Sequence, residues 1–494
     1  MRKTISFALM CAVALGASAA AQQGALQTAA TTLGVANIKT IQFVGAGRNF
    51  SVGQNYVASD PWPAVPVKNY TATINYDTAS MRVELLREMG PLMPRGGGAP
   101  FFGEQRQVQV VGGNYAWNVA APAANAPAGT APQAAPNAGA QPERMLALWS
   151  TPQGFVKAAM ANNATTRQTR AGTEVSFTTG GKYKMTGIIN AQGHVEKVQT
   201  WIDHPIVGDM LVETVYTGYK DFGGVTFPSR IMQSQDGYPS LDISVSSVTA
   251  NPMFDAPVPD NVRNFQAPAV QVTVQKLGEG AFYLTGGSHH SVAVEMRDHI
   301  VLVDLPQTEQ RAMAVVAKAK ETIPNKPVRF VITSHHHWDH LGGIRTAMDE
   351  GATIVTHRSN KAFLERVART PHTLVPDRQA ASRKAVKIQT VGDKGQLTDG
   401  TRVIEIHRLA TLEHTGDLMA VYLPKEKIII EPDAFTPPAQ AGTALIPPAV
   451  PFARALYDTI QRQKLDVQTI VPLHGNRTAD VAELAKAAGV NATN

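Results

Sequence analysis

The chain has almost no cysteine. Its one thiol, Cys11, stands near the very start. A chain trimmed behind that point can form neither disulfides nor thiolate metal ligands. Any metal must then be held by His, Asp or Glu. Charge is sparse too: 17% of residues are charged and the formal net charge is +6. The Lys and Arg residues are scattered without a basic stripe, so charge gives no support to a nucleic-acid partner. No stretch after the first residues is long and apolar enough for a membrane span. No Gly-x-Ser-x-Gly motif is present to supply a serine nucleophile.

The start of the chain reads as a leader. Arg2 and Lys3 precede a short apolar run, Ile5 to Ala17, and Ala19-Ala20-Ala21 fits a cleavage site before Gln22. This pattern predicts a signal peptide over residues 1–21 and a periplasmic or secreted protein. Cys11 lies inside the apolar run behind Leu9 and Met10, which argues against lipoprotein anchoring. Without Arg2 and Lys3 the formal charge falls to about +4.

At 494 residues the remainder is too long for one ordinary core, which predicts two domains. Residues 22–267 read as β-rich. Polar and apolar residues alternate in Tyr70–Tyr76, Val108–Val111 and Val212–Tyr216, which predicts a curved antiparallel sheet. Two low-complexity stretches, Pro94–Gly98 and Ala120–Pro142, are expected to be mobile loops between strands. The segment Tyr219–Pro228 resembles a hairpin of periplasmic domains similar to the lipoprotein-carrier fold. From about residue 268 to the end, strands alternate with helices, which implies a layered α/β domain.

Histidine is concentrated in this second part: twelve of the fourteen lie after residue 268. Four apolar runs each lead into potential ligands. Val328–Thr333 precedes His335, His337, Asp339 and His340, Val403–Ile406 precedes His414, Ile428–Ile430 precedes Asp433, and Ile470–Val471 precedes His474. Loops at strand ends are where a rigid sheet can bring side chains together. The spacing fits two divalent ions. His335, His337 and His414 would hold one, Asp339, His340 and His474 the other, with the Asp433 carboxylate between them. Nitrogen and oxygen donors without sulfur suit zinc, with iron, manganese or cobalt compatible.

The run His-x-His-x-Asp-His, with the separate His, Asp and His, resembles the metallo-β-lactamase superfamily over about residues 270–480. The resemblance implies an αββα sandwich with the metals at one edge of paired sheets. It implies the same division of ligands, and Asp339 is expected to be a catalytic residue as well. His336 and Trp338 fall at variable positions of the motif and are not expected to be ligands. Asp304 matches a strand-end acid that orients a ligand through a hydrogen bond, and Thr415 is a weaker candidate for such a role. For His289 and His290 a solvated hairpin is the favoured reading and a substrate contact the rival. His299, His357, His372 and His407 are read as ordinary surface or structural histidines.

Two ions sharing a water make hydroxide available near neutral pH, so the expected reaction is hydrolysis. An aspartate at 433 favours relatives that cleave lactones, thioesters or phosphodiesters over true β-lactamases. The tract Tyr422–Ile428 looks like the β-lactamase branch and keeps β-lactams open. Either the apolar stretch Phe435–Phe452 or the insertion Arg369–Arg383 could form a wall of a pocket for a small-molecule ester, lactone or amide with an apolar portion. Two other classes remain: a mononuclear iron oxidoreductase, and a periplasmic carrier whose metals are structural. If the leader is cleaved as read, protein recovered from the periplasm begins at Gln22 by mass spectrometry and contains no titratable thiol.

Overall fold

The computed structural model describes residues 24–490 apart from 91–93, 99, 121–129, 131 and 411. The expected signal peptide lies outside the described residues.

Alternation builds the first part of the chain. In the strand Gly208–Asp221 every second residue from Gly208 to Tyr216 is buried, as a period of two requires when one face of a sheet is covered. Thirteen strands between Thr40 and Ala250 form one wholly antiparallel sheet. The strand Thr40–Phe50 pairs with Tyr238–Ala250, so the beginning and end of this sheet segment lie side by side. Two helices, Gln141–Ser150 and Pro152–Ala161, pack on the sheet with Leu146, Leu148, Phe155 and Val156 buried. Pro142 and Pro152 look like helix breakers in the sequence. Each sits in a first helical turn, where a missing N–H costs nothing.

Of the expected loop Ala120–Pro142, residues 121–129 and 131 lie outside the described residues, while parts of both low-complexity stretches are paired. Within Ala120–Pro142, Gln133–Pro136 is an edge strand paired with Tyr115–Ala120. Its pairing is made by the backbone, so poor side chains do not prevent it, and the Asn261 side chain donates to Ala134 O. In the stretch Pro94–Gly98, Gly96 N donates to Glu413 O at 2.8 Å and Gly97 N to Gln54 O at 2.7 Å. This glycine loop docks on the second domain.

The second part has two sheets. The first runs in the order Thr273–Gly278, Ala281–Thr285, Ser291–Glu295, Ile300–Val303, Val328–Ile332, Thr353–His357 and Lys387–Val391. The second runs Lys394–Thr398, Val403–Arg408, Met419–Leu423, Ile428–Glu431 and Thr469–Pro472. Val292, Val301, Val303 and Ile332 of the first sheet meet Ile404, Ile406, Val421, Ile430 and Val471 of the second. The outer faces are covered by helices. Val315 and Ile344 share a core with Leu302 and Val331, while Leu456 and Leu484 share one with Ile429 and Ile470. The architecture is an αββα sandwich beside a β-rich antiparallel domain. No helix among the described residues is long and apolar enough to cross a membrane.

The two parts meet around Trp338. Residues 51–63, which join the first two strands, reach to the second domain. Trp338 N donates to Gly53 O at 3.3 Å. The Trp338 ring meets Trp62 edge-on at 5.4 Å and His204 at 4.3 Å. Gly53 has φ +72° and a side chain there would stand 2.4 Å from the Trp338 ring, so only glycine fits. The insertion Arg369–Arg383 docks here too, with Thr373 N and Leu374 N donating to the Asp209 carboxylate. It is engaged by the N-terminal sheet.

Burial, reinforced by nearby His372, pushes the His204 imidazole down to about 3. An unfolded histidine titrates near 6.5, so below that pH the unfolded chain takes up a proton that the folded chain refuses. Stability from this group is therefore complete above about pH 6.5 and declines as pH falls toward 3. Denaturant midpoints of metal-free protein should fall over that window, and the fall should be shallower in His204→Gln.

Candidate metal centre

All seven expected donors come together at one edge of the paired sheets. His335 and His337 follow the strand Val328–Ile332, and Asp339 and His340 sit on the single helical turn Trp338–Leu341 behind it. His414, Asp433 and His474 arrive from the ends of Val403–Arg408, Ile428–Glu431 and Thr469–Pro472. Donor atoms of His335, His337 and His414 lie within 4.8 Å of one another, as do those of His335, His340 and Asp433. A third set joins Asp339, His340 and His474 with His289.

Asp433 stands between the sets. Its Oδ2 is 3.1 Å from His335 Nε2, 3.1 Å from His340 Nε2 and 3.3 Å from His414 Nε2. Its Oδ1 is 3.0 Å from His474 Nε2. Four donors around a zinc ion with bonds of about 2.0–2.1 Å are spaced roughly 3.3 Å apart. The separations seen here match that spacing.

Hydrogen bonds determine which nitrogen of each ring is free. The Ser334 hydroxyl donates to Asp304 Oδ2, so at 3.1 Å it can only accept from His335 Nδ1–H. That leaves the lone pair on His335 Nε2, a buried atom with no hydrogen-bond partner. His337 Nε2–H donates to Asn55 O at 2.9 Å, which frees its buried Nδ1. His340 Nδ1–H donates to Asp304 Oδ2 at 2.8 Å, which frees its Nε2. Buried polar atoms are nearly always paired, yet His335 Nε2 and His337 Nδ1 have no hydrogen-bond partner, and His340 Nε2 meets only another imidazole nitrogen and a carboxylate, His474 Nε2 at 3.0 Å and Asp433 Oδ2 at 3.1 Å. The donor set fits divalent metal.

Electrostatics agree. Burial, with the neighbouring imidazoles, holds His335 and His337 well below the ordinary histidine range, so both are neutral donors. Burial opposes charge on His340 as well, yet Asp433 and Asp304 raise it well above that range. The place thus favours a cation. Burial alone would raise Asp433, but His340, His474 and His414 hold it ionised.

The surrounding residues sort clearly. Asp304, fully buried, accepts from Ser334 N, the Ser334 hydroxyl and His340. His336 pairs with buried Asp417 at 2.8 Å, and the Asn360 and Thr415 side chains donate to the same carboxylate. His336 belongs to none of the donor sets. The Thr415 hydroxyl oxygen also lies 3.0 Å from Tyr56 O. His299, His357 and His407 pair with Asp298, Ser359 and Glu405. Phe452 lies 5.6 Å from the His414 ring, so the apolar stretch does border the centre.

Sequence reasoning missed the N-terminal contribution. Gln54 Nε2 donates to Asp339 Oδ1 at 2.9 Å, and Gly416 N donates to Tyr56 O at 2.8 Å. Nothing in residues 53–56 signals this, because three of the contacts, at Gly53, Asn55 and Tyr56, are made by carbonyl groups. The solvated-hairpin reading of His289 is also replaced: its Nε2 is 3.1 Å from Asp339 Oδ2. His290 is buried, with its Nε2 2.6 Å from Gly475 O.

Residues 284–474 match the family model described as the metallo-beta-lactamase superfamily. Solved structures similar to the chain include DIM-1 metallo-beta-lactamase, at 20% identity and TM-score 0.33, covering 44% of this chain and 96% of that one. A metallo-beta-lactamase from Pontibacter korlensis matches at 19% and 0.33, covering 44% and 98%. FIM-1 from Pseudomonas aeruginosa, in its mono-zinc form, matches at 18% and 0.35, covering 45% and 96%. No curated protein matches the chain.

Asp304→Ala removes the acceptor that sets both the His340 and the His335 tautomers. Chelator competition should show metal affinity weakened by about ten- to a hundredfold, the usual loss when such an orienting partner is removed.

Proposed function

We propose that the protein is an exported, binuclear metal-dependent hydrolase, a reading supported by the match of residues 284–474 to the metallo-beta-lactamase superfamily model. The observation that carries this reading is Asp433, whose two oxygens face imidazoles of both donor sets. His335, His337 and His414 would hold one ion, and Asp339, His340 and His474 the other, with Asp433 shared. Zinc suits the donors best, and iron or manganese is compatible. Bound as a pair, the ions would lower the pKa of a water toward neutrality and polarise a scissile carbonyl.

The chain's own residues define where this happens. The side chains of Asp339 and His474 are 35% and 22% exposed, while those of His335, His340 and His414 are at most 3% exposed. Substrate therefore approaches from the Asp339–His474 edge. Burial opposes ionisation of Asp339, but hydrogen bonding from His289 and the charge of His340 keep its pKa low. An ionised Asp339 accepts a hydrogen bond from the attacking water and orients it, the catalytic role proposed for it. Phe452 and the apolar stretch behind Asp433 supply one wall, which favours an ester, lactone or amide with an apolar portion. Export rests on the leader pattern, and the scattered charges favour a small molecule over nucleic acid.

The test combines metal analysis with a hydrolysis panel of lactones, esters, amides, β-lactams and phosphodiesters. The expected result is two metal equivalents per chain and turnover of an ester, lactone or amide. His337→Ala should reduce kcat/KM by at least about a hundredfold. Cleavage of phosphodiesters or β-lactams alone would overturn the substrate class. Undiminished activity in His337→Ala would favour the carrier reading with structural metal.

A further inference from the structure

His289 is the one histidine at the centre that lies outside the seven expected donors. It lies in the turn between Ala281–Thr285 and Ser291–Glu295, and the backbone holds it there. His289 bridges to His474 across the two sheets, and His290 N donates to Leu473 O at 2.9 Å. The His290 side chain tightens the same seam through Gly475 O. The position of His289 is thus tied to the segment that carries His474.

Its ring is aimed into the second donor set. His289 Nε2 is 3.1 Å from Asp339 Oδ2, and the ring lies 3.9 Å from His474 and 5.3 Å from His340. The donor atoms of His289, Asp339, His340 and His474 all fall within 4.8 Å of one another. Its side chain is only 13% exposed. The far nitrogen, Nδ1, is 2.8 Å from the Ser288 hydroxyl, which also receives a hydrogen bond from Gln307 Nε2 at 2.9 Å. A hydroxyl oxygen has two lone pairs, so it can accept from both. His289 can therefore carry its proton on Nδ1 and present the Nε2 lone pair to an ion. Gln307 is itself fixed to the motif turn, since its N–H donates to Asp339 O at 2.8 Å.

We propose that His289 is a ligand of the second metal ion, which would then be held by His289, Asp339, His340, His474 and the shared Asp433. The inference rests on the binuclear reading above. It makes the two sites unequal: three imidazoles and two carboxylates hold the second ion, against three imidazoles and the shared carboxylate at the first. The second ion has fewer open positions, and the first is the better place for a substrate oxygen.

The competing role is a hydrogen bond from His289 Nε2–H to Asp339, and two variants separate them. A glutamine side chain can still donate an N–H to Asp339, but it is a poor zinc donor. Titrate apo wild-type, His289→Ala and His289→Gln with zinc against a chromophoric chelator, and record the visible spectrum of each cobalt-substituted form. The expected result is one equivalent weakened by about ten- to a hundredfold in both variants, the other unchanged, with an altered cobalt spectrum. Melting curves of the metal-free proteins should coincide. Rescue by His289→Gln, or two unchanged equivalents in His289→Ala, would overturn the proposal and leave the binuclear reading intact. X-ray absorption on the wild-type zinc protein, which needs no folded variant, should count six imidazoles over two ions, and five would overturn it. Wild-type protein that holds fewer than two equivalents would remove the binuclear reading and this inference together.

Discussion

A buried carboxylate survives in a protein interior only where donors or positive charge surround it. Asp433 satisfies that condition through four imidazoles arriving from three different loops. This arrangement constrains the rest of the second domain. The two sheets must end at the same edge, and their packed faces must be apolar and rigid enough to hold those loops in register. The core of Val301, Val303, Ile332, Ile404, Ile406 and Ile430 provides that rigidity directly beneath the centre. One sheet contributes His335, His337, Asp339 and His340; the other contributes His414, Asp433 and His474.

Ring orientation is a second layer of the same constraint. A histidine offers one lone pair at a time, and the partner of its other nitrogen decides which. Asp304 sets His340 directly and His335 through Ser334, so a single carboxylate fixes donors that face Asp433 from two sides. Asp304 itself has φ +56°, a conformation uncommon for a residue with a side chain. The strained turn after Ile300–Val303 is what swings its carboxylate beneath the motif.

The motif in the second half was legible in the sequence because its information is local. A strand of apolar residues followed within a few positions by His or Asp is a pattern that one dimension can display. The alternation of strands and helices after residue 268 is of the same kind. His289 also follows a strand, Ala281–Thr285, but its direction could not be read from that pattern. It lies 50 positions from Asp339, and its approach depends on a backbone bridge to His474. The pairing of Gly96, Gly97 and the strand Gln133–Pro136 was not legible because composition reports on side chains. Their contacts are made by main-chain N–H and C=O groups, which every sequence carries.

The same reasoning explains what the N-terminal sheet does for the centre. Asn55 O fixes the tautomer of His337, Gln54 holds one oxygen of Asp339, and Tyr56 O receives Gly416 N beside His414. One loop of the first domain thus touches two of the four segments that carry donors, while Trp338, inside the motif, is clasped by Gly53, Trp62 and His204. A ligand whose ring is oriented by another domain cannot keep its geometry if that domain shifts. The centre is therefore a property of the whole chain: the αββα domain supplies the donors, and the β-rich domain supplies part of what aims them.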